Sequence, residues 1–403
     1  MKVRSKEPYW LLKNGLPYVY PSLRNDISCD VLIVGAGVTG ALLAYQFSGE
    51  GYTTTVIDKR DVGTGSTCAT TSMVQYEIDK SLGELASMIG KGVATDIYKE
   101  SVRSVKRLAD IANRLEFPCG FSLKESLHFA HTLEDASVLK RETECRIMAG
   151  INVQWLSKDE IKLRYGLVSE GGILSETGAS VDPYQLAHGL FQSATKRSGL
   201  KVYDHVTLVS VEHSEKKSVV TVDSGAQIEC SHIVYATGYE THEIIGSKSD
   251  IGKLVSTYAC ISEPVALLPE PLGRTIFWNT EDPYFYFRTT ADNRLIIGGV
   301  DEDFQNPEKR DALIDKKEEE LSRKIKEKIP GIDLVADFTW GGVFGATKDA
   351  LPYIGTHPAF PNSYFMLGFG GNGITFSVMG MKILSDALAN RPNRFLEYFK
   401  FDR

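Results

Sequence analysis

Three glycines in the stretch VLIVGAGVTG have the spacing of a nucleotide-binding turn. Gly35, Gly37 and Gly40 lie between an apolar run typical of a buried strand and a helical segment. In this pattern the first glycine permits a tight turn, the second lets the backbone approach a pyrophosphate, and the third allows close helix–strand packing. Asp58 ends the next apolar run, TTTVID, where a carboxylate accepts hydrogen bonds from ribose hydroxyls. The motif predicts a dinucleotide site, and a plain tight turn with a surface aspartate is the less favoured alternative.

Three further segments extend this pattern. RDVGTGSTCATTSMVQ, residues 60–75, offers backbone and hydroxyl donors, although such a stretch can also be a plain surface loop. GFGGNGITFS, residues 368–377, is a Gly-rich turn before an apolar helix, which favours contact with an anion. HIVYATGYE, residues 232–240, ends an apolar strand with a glycine. Because an NAD-binding βαβ unit has no need of such a loop after its second strand, we interpret the ligand as a longer dinucleotide that contains a flavin.

Composition limits the class of protein. The chain has 403 residues, 42% of them hydrophobic and 24% charged, with a formal net charge of -7. This charge argues against a general binder of nucleic acid or of membrane surfaces. No apolar run reaches the roughly 18 residues of a membrane span, and we expect no secretory signal. Six scattered cysteines and eight histidines without metal-ligand spacing favour a cytoplasmic protein with reduced thiols and no metal.

The elements that must position these motifs are of two kinds. CDVLIVGAG, TGALLAYQFSGEG and TTTVID predict a strand, a helix and a strand, which form a βαβ unit of a parallel sheet. LVSTYACISEPV, TIFWN, YFYFRTT and RLIIGG alternate like the strands of a mostly antiparallel sheet. Since parallel-sheet signals recur near residues 30, 235 and 365 with different material between them, we predict two interleaved domains.

Taken together, these segments resemble the FAD-dependent amine and amino-acid oxidoreductases of the D-amino-acid oxidase type. Glycine oxidase, sarcosine oxidase and gamma-glutamylputrescine oxidase belong to this family. The resemblance runs from about residue 29 to residue 390, and its motifs are VLIVGAGVTG, GTGST, HIVYATG, YFYFRTTADNRLIIGG, and GGVFGATKDALPYIG followed by GFGGNGIT. It implies an α/β fold in which an FAD-binding Rossmann-like domain of the glutathione-reductase type (GR2) is interleaved with an α+β substrate domain on a mostly antiparallel sheet.

The resemblance also implies domain boundaries. Residues 28–92, 165–246 and 336–390 are expected to form the FAD-binding domain, and residues 93–164 and 247–335 the substrate domain. Residues 1–27 would be an N-terminal extension and residues 391–403 a C-terminal tail.

By the same resemblance FAD would be bound along most of the chain. The Gly35 to Gly40 turn would hold the pyrophosphate, Asp58 the adenosine ribose, and the main chain near Leu208 would flank adenine. The main chain from Gly371 to Thr375 would approach the pyrimidine end of the flavin. The residues expected at the cofactor are Gly35, Gly37, Val38, Thr39, Gly40, Asp58, Lys59, Arg60, Gly65, Ser66, Thr67, Thr71, Ser72, Met73, Leu208, Ala236, Thr237, Gly238, Gly345, Gly370, Gly371, Asn372, Gly373, Ile374 and Thr375.

The FAD is expected to be noncovalent. Covalent-flavin sarcosine oxidases carry an attachment cysteine in the C-terminal flavin turn, and this chain has none there. Cys68, in the early Ser/Thr-rich loop, is the one other candidate for attachment, and a small packed thiol is its alternative role.

The substrate side departs from the family pattern. Members that act on α-amino acids carry an arginine in a Gly-x-Arg-Pro segment, where a guanidinium clamps the substrate carboxylate. Phe344 takes that position here, which argues against simple oxidation of glycine or D-amino acids. Arg288 is the next candidate clamp, with Tyr258 and Tyr286 as further pocket residues. Alternatively, Arg288 lies on a solvated sheet face and pairs with an acid such as Asp301.

The expected reaction is oxidation of a C–N bond in a primary or secondary amine or amino acid. Hydride transfer to flavin N5 would give an imine that water hydrolyses, with dioxygen or an electron carrier as the final acceptor. One alternative is an FAD-dependent dehydrogenase acting on a C–O bond, such as that of a hydroxy acid or a glycerol-3-phosphate-like alcohol. The second alternative is a non-catalytic flavoprotein.

Overall fold

The computed structural model describes residues 1–214, 216–246, 250–266, 268–332, 334–368 and 370–403. Within these ranges the β-strands are β1 (Arg4–Ser5), β2 (Ile27–Val34), β3 (Thr54–Ile57), β4 (Met73–Gln75), β5 (Ser122–Phe129), β6 (Val153–Leu156), β7 (Gly172–Ser180), β8 (Lys201–Tyr203), β9 (Leu208–His213), β10 (Ser218–Val222), β11 (Gln227–Tyr235), β12 (Lys253–Ser262), β13 (Thr275–Asn279), β14 (Phe285–Thr289), β15 (Leu295–Glu302), β16 (Ala336–Ala346), β17 (Tyr353–Thr356) and β18 (Ser363–Leu367).

The α-helices in the same ranges are α1 (Tyr9–Asn14), α2 (Val38–Gly49), α3 (Leu82–Ile89), α4 (Lys91–Ala112), α5 (Leu133–Met148), α6 (Lys158–Tyr165), α7 (Pro183–Ser198), α8 (Thr241–Ile245), α9 (Glu270–Gly273), α10 (Pro307–Lys328), α11 (Gly373–Leu388) and α12 (Phe395–Tyr398). Short 3-10 helices span Ser66–Ala69 and Gly238–Glu240. Of the helices in the described ranges, none combines the length and the apolar composition that crossing a bilayer requires.

The smaller sheet is the predicted nucleotide-binding sheet. Its strand order is β17-β18-β11-β2-β3-β8, with β9 and β10 attached through β11. The pairs β2–β3, β2–β11, β3–β8 and β11–β18 are parallel. Val31, Leu32 and Ile33 of β2 are fully buried, because apolar clusters cover both faces of the sheet. Helix α2 follows β2 directly and packs between α7 and α11.

The larger sheet is mostly antiparallel, as predicted from its alternating aromatic strands. Its order is β1-β16-β12-β15-β14-β13-β5-β7-β4, and β6 pairs with β7. The charged helix α10 buries one stripe, which includes Ile314, Leu321 and Ile325, against one side of this sheet. The other side faces the smaller sheet and carries the site described below. The predicted fold class is therefore confirmed.

Sheet membership differs from the expected domain boundaries at three places. Strands β4, β7 and β16 fall in segments expected for the FAD-binding domain, but they pair within the larger sheet. Strand β16 belongs to the larger sheet because it pairs with β12 along almost its whole length, from Ala336 to Ala346. The N-terminal extension also contributes β1 to this sheet, where Arg4 and Ser5 pair with Gly342 and Gly341. By strand pairing, the chain returns to the smaller sheet at β17 rather than at residue 336.

Candidate active site

A cavity of about 510 Å³ is lined by residues of both sheets. The Gly-rich turn after β2, the end of β3 and the end of β11 line what we call the nucleotide end. Residues 65–75 and the C-terminal turn form its middle. The face of the larger sheet contributes aromatic side chains, and we call this part the aromatic end. It is lined by Tyr258, Trp278, Tyr284, Tyr286, Trp340 and Phe344.

The nucleotide end has no room for side chains on its first two glycines. Gly35 has a φ of +112°, and a Cβ there would lie 2.5 Å from the Ala236 carbonyl oxygen. A Cβ on Gly37 would lie 2.9 Å from the Thr67 hydroxyl oxygen. That hydroxyl accepts a hydrogen bond from the Val38 amide at 2.9 Å, at the start of α2. The turn therefore presents backbone without side chains to the cavity, which a close approach of phosphate requires.

Asp58 is fixed at the end of β3 by backbone donors. Its Oδ2 accepts from the Ala36 amide at 2.7 Å and its Oδ1 accepts from the Arg60 amide at 2.9 Å. Burial raises the pKa of the carboxyl, and these amide donors act against that rise. Arg60 makes a bidentate ion pair with Glu240 at 2.6 and 3.0 Å, and Lys59 joins it at 3.1 Å. The cations next to Asp58 are thus already neutralised by protein.

The C-terminal turn is attached beside the cavity by four hydrogen bonds, one of them from the Asn372 side chain to the Glu77 carbonyl at 2.6 Å. The Gly371 amide donates to Asp79 Oδ2 at 3.0 Å. The Asn372 side chain donates to the Gln75 carbonyl at 3.0 Å, and the Thr375 hydroxyl donates to the same carbonyl at 2.6 Å. These bonds join α11 to β4 across almost 300 residues of sequence. Their geometry makes the turn a fixed wall of the cavity.

At the aromatic end, Tyr284, directly before β14, and Tyr286 of β14 are held by polar partners. The Tyr284 hydroxyl donates to Asp301 Oδ2 at 3.1 Å. Burial raises the pKa of Asp301 to about 6. The Tyr286 ring lies against Gly298, where a Cβ would come within 2.6 Å of the ring. Thr257 and Thr71 are the polar neighbours of its hydroxyl, and both act to lower its pKa against the effect of burial. The two phenols are therefore oriented by protein before any ligand binds.

Arg288 is not at the surface of the cavity, contrary to both expectations for it. The side chain is only 3% exposed and does not line the cavity. Its Nε donates to the Thr71 carbonyl at 2.8 Å, its Nη1 donates to the Thr289 carbonyl at 3.1 Å, and Trp10 covers it at 5.6 Å. Asp301 accepts from Tyr284 instead of pairing with this arginine. Arg288 shares a strand face with the two tyrosines, but α1 of the N-terminal extension covers it.

Most residues expected at the cofactor do line the cavity. They are Gly35, Gly37, Val38, Thr39, Asp58, Lys59, Arg60, Gly65, Ser66, Thr67, Thr71, Met73, Leu208, Ala236, Thr237, Gly238, Gly370, Gly371, Gly373 and Ile374. The pocket candidates Tyr258, Tyr286 and Phe344 line it as well. Phe369 of the C-terminal turn lies outside the described residues. Which of these residues touch the cofactor stays a prediction.

Five of the expected cofactor residues do not line the cavity, and each has another role. Gly40 packs against the Gly35 carbonyl, which is the helix–strand contact predicted for it. Ser72 is fully buried with a φ of +57°. The Gly345 carbonyl accepts from the Gly370 amide at 2.7 Å. Asn372 and Thr375 hold the turn to β4, as described above.

The structure adds cavity residues that the sequence did not indicate. Val3 lines the cavity because β1 of the N-terminal extension joins the edge of the larger sheet. Gln75 and Asp79 line it next to the C-terminal turn, and Tyr239 lines it after β11. No local pattern marks them, since Asp79 meets its partner Gly371 only in the folded chain. The one hint in the sequence is that an amide and an acid, Gln75 and Asp79, stand at the end of the Ser/Thr-rich loop and just after it.

Outside the cavity, Asp61, Asp204 and His205 bring one ligand atom each within 4.8 Å of one another. His205 Nε2 lies 3.1 Å from Asp61 Oδ1, and both side chains are largely exposed. This arrangement is explained by a surface contact between an imidazole and a carboxylate. The expected absence of a metal site stays a prediction.

The residues of the cavity fit an FAD. The glycine cradle at the nucleotide end would be filled by any Cβ, and Asp58 presents carboxylate oxygens beside it. From there the cavity continues past a loop rich in hydroxyl groups to the aromatic end, so that it extends well beyond a nucleotide. A long ligand with phosphates at one end and a flat ring at the other matches this distribution of groups.

Comparison with known proteins agrees with this fit. The family model described as FAD dependent oxidoreductase (DAO) matches residues 30–387. The chain is 25% identical to the glycine oxidase of Bacillus licheniformis, over 93% of this chain and 97% of that protein. It is 24% identical to a Bacillus subtilis (strain 168) protein provisionally named Rieske 2Fe-2S iron-sulfur protein YhfW, over 98% of this chain and 75% of that protein. The crystal structure of the glycine oxidase from Geobacillus kaustophilus matches with a TM-score of 0.76 at 21% identity, over 93% of this chain and 98% of that chain.

The predicted resemblance is confirmed by the family match, which spans most of the chain and both sheets. FAD is the cofactor of this family, and the cavity fits it. The chain belongs to the DAO family of FAD-dependent oxidoreductases.

Proposed function

We propose that this enzyme oxidises the C–N bond of a primary or secondary amine and holds its FAD noncovalently. When bound, FAD supplies the acceptor for a hydride from the substrate carbon next to nitrogen. The imine left by the substrate is hydrolysed by water to a carbonyl compound and ammonia or a smaller amine. The observation that carries the proposal is the composition of the aromatic end, which joins the nucleotide end in one cavity.

The aromatic end favours an amine over an alcohol as substrate. Oxidation of a C–O bond requires a base that takes the hydroxyl proton, and histidine commonly has this role. Among the described residues that line the cavity there is no histidine, and Asp79 is the one carboxylate there outside the nucleotide end. An amine in its neutral form can lose a hydride without such a base, so that positioning and exclusion of water suffice.

Positioning is the task of the two fixed tyrosines. Tyr284 is oriented by Asp301 and Tyr286 by Thr257, and neither phenol is ionised at neutral pH because burial raises both pKa values above the usual 10. A neutral phenol can hydrogen-bond the substrate amine without changing the charge of the pocket, and Tyr284, whose proton goes to Asp301, would do so as an acceptor. Phe344 contributes an apolar wall at the same end. These side chains would hold the substrate and limit the access of water.

The noncovalent attachment is supported by the surroundings of Cys68. Its thiol is buried, donates to the Gly65 carbonyl at 3.1 Å, and does not line the cavity. Burial raises the pKa of this thiol to about 12, so that it is a poor nucleophile. No cysteine of the described ranges lines the cavity. Acid denaturation of the holoenzyme should therefore release the flavin into the supernatant.

The proposed reaction is tested by anaerobic reduction of the bound flavin. FAD-loaded protein would be mixed with alkylamines, amino acids, hydroxy acids and glycerol 3-phosphate, and the visible flavin absorbance followed. Bleaching by amines, with a carbonyl product and released ammonia, is the expected result. Bleaching by the hydroxy compounds alone would replace the proposal by C–O oxidation. Reoxidation in air, compared with reoxidation by an artificial electron carrier, would then identify the class of acceptor.

A further inference from the structure

The charged side chains of the cavity are distributed unevenly. Five of the six that line it are at the nucleotide end, where Asp58, Lys59, Arg60, Glu240 and Glu243 lie close together. Asp79 is the remaining one, and it lies between the C-terminal turn and the aromatic end. In the described part of the chain, no lysine or arginine lines the cavity away from the nucleotide end. The substrate half of the cavity is therefore negative.

Asp79 is only partly engaged by protein. Its Oδ2 accepts one hydrogen bond from the Gly371 amide at 3.0 Å. Among the residues that the structure describes it forms no direct ion pair; its neighbour Lys80 pairs with Glu84 and acts on the pKa of Asp79 only through its charge, which lowers it. Asp79 lines the cavity and is exposed to it, and desolvation by the surrounding protein raises the pKa of its carboxyl. Within the described ranges, this carboxylate therefore keeps acceptor capacity that no cation contacts directly.

The charge of Asp79 acts electrostatically on the tyrosines that line the same cavity. The charge of Asp79 raises the pKa of Tyr284 and of Tyr286, and it raises that of Asp301 behind them. The three groups belong to the larger sheet, whereas Asp79 follows β4 and is held by the C-terminal turn. Asp79 thus lines the same cavity as Tyr284 and Tyr286, from a different segment of the chain. An ammonium group between them would meet a carboxylate and the faces of aromatic rings, both of which attract cations.

A substrate carboxylate would find no such partner. The family's arginine position holds Phe344, and Arg288 is buried below Trp10 with its Nε and Nη1 committed to carbonyls. Gln75, the polar neighbour of Asp79 along the cavity, has no charge. A carboxylate placed here would lose its hydration and lie near Asp79, which is unfavourable on both counts.

On the basis of the function proposed above, we propose that Asp79 selects a cationic amine that has no carboxylate beside its reacting carbon. The substrate class is an alkylamine or a diamine, and Asp79 pairs with its ammonium group as it binds. A monoamine then passes one proton to Asp79 or to water before the hydride leaves the neutral amine. Asp79 is a specificity-determining residue in this proposal. Asp301 has a different role from Asp79, because it accepts a hydrogen bond from Tyr284 and does not line the cavity.

The test compares Asp79→Asn with Asp303→Asn in the FAD-loaded enzyme. Asn keeps an acceptor for the Gly371 amide but removes the charge, and Asp303 is an exposed aspartate that pairs with Lys253 on the surface. Binding of butylamine and 1,4-diaminobutane would be followed through the perturbed flavin spectrum, and turnover through flavin reduction. Loss of a charge-assisted bond of about 1.5–3 kcal/mol should weaken binding of both amines roughly ten- to hundredfold. Asp303→Asn should leave it unchanged.

Two further measurements complete the design. Asp79→Glu retains the charge and should retain the preference for amines, which separates loss of charge from loss of folding. Glycine and sarcosine should perturb or reduce the wild-type flavin at least tenfold less efficiently than butylamine. Amino acids that act better than butylamine, or an Asp79→Asn enzyme with unchanged amine binding, would overturn the proposal. Charge-dependent amine binding without any flavin reduction would instead refute the proposed reaction and leave the role of Asp79 intact.

Discussion

Replacing Arg288 should damage folding rather than substrate recognition. Arg288→Met keeps the length of the side chain but removes its donors to the Thr71 and Thr289 carbonyls. Hydrogen bonds from a charged donor contribute about 1.5–3 kcal/mol each, and the contact with Trp10 adds about 1 kcal/mol. Burial of the guanidinium, which lowers its pKa to about 10, offsets part of this gain. We expect a net loss of about 2–4 kcal/mol in the free energy of unfolding.

The matched control is Arg274→Met, since Arg274 is an exposed arginine that pairs only with Glu270 on the surface. Thermal unfolding of the holoenzyme should show a midpoint lower by about 3 °C or more for Arg288→Met and no change for the control. The KM for the best amine should change less than threefold in both variants. An unchanged melting temperature combined with a tenfold higher KM for a carboxylate-bearing substrate would show that Arg288 clamps the substrate, and would refute this reasoning.

Three other predictions follow from individual contacts. Trp10→Ala removes the indole donor to the Thr70 carbonyl at 2.8 Å, so the holoenzyme should lose FAD more readily on dilution, as flavin fluorescence would show. Gly298→Ala should displace the Tyr286 ring and lower kcat about tenfold or more at unchanged FAD content; a normal kcat would count against an active role for this ring. Burial lowers the pKa of His188 from 6.5 to about 4, so that below pH 6.5 the unfolded chain takes up a proton that the folded chain does not. Stability should therefore fall by about 1.4 kcal/mol per pH unit from pH 6.5 toward pH 4, and His188→Gln should flatten this slope in urea denaturation.

Local patterns were sufficient for the nucleotide end of the site. The glycine spacing and the apolar strands predict a βαβ unit, because strand, turn and helix are adjacent in sequence and their geometry allows few alternatives. The family resemblance added FAD, which the family match confirms. The Cβ contacts at Gly35 and Gly37 show the physical basis of that motif in this chain.

The substrate end depends on contacts between distant segments, which the sequence does not display. Arg288 was expected either at the substrate or on a solvated sheet face, but its cover, Trp10, comes from an N-terminal segment that was expected to be a separate extension. Strand β1 joins the larger sheet through two residues only, too few for a periodic signal. Asp79 is held by Gly371, which lies 292 residues further along the chain. Its charge became informative only when the structure showed that no described lysine or arginine lines the cavity beside it.

The most direct test of this account is a single-turnover measurement on the holoenzyme without oxygen. Butylamine would be added to a known amount of bound FAD, and flavin bleaching and carbonyl product would be quantified together. The account predicts one carbonyl product for each FAD reduced, and flavin that acid releases from the protein afterwards. A bound flavin that butylamine and other amines leave oxidised, while a hydroxy acid bleaches it, would contradict the account.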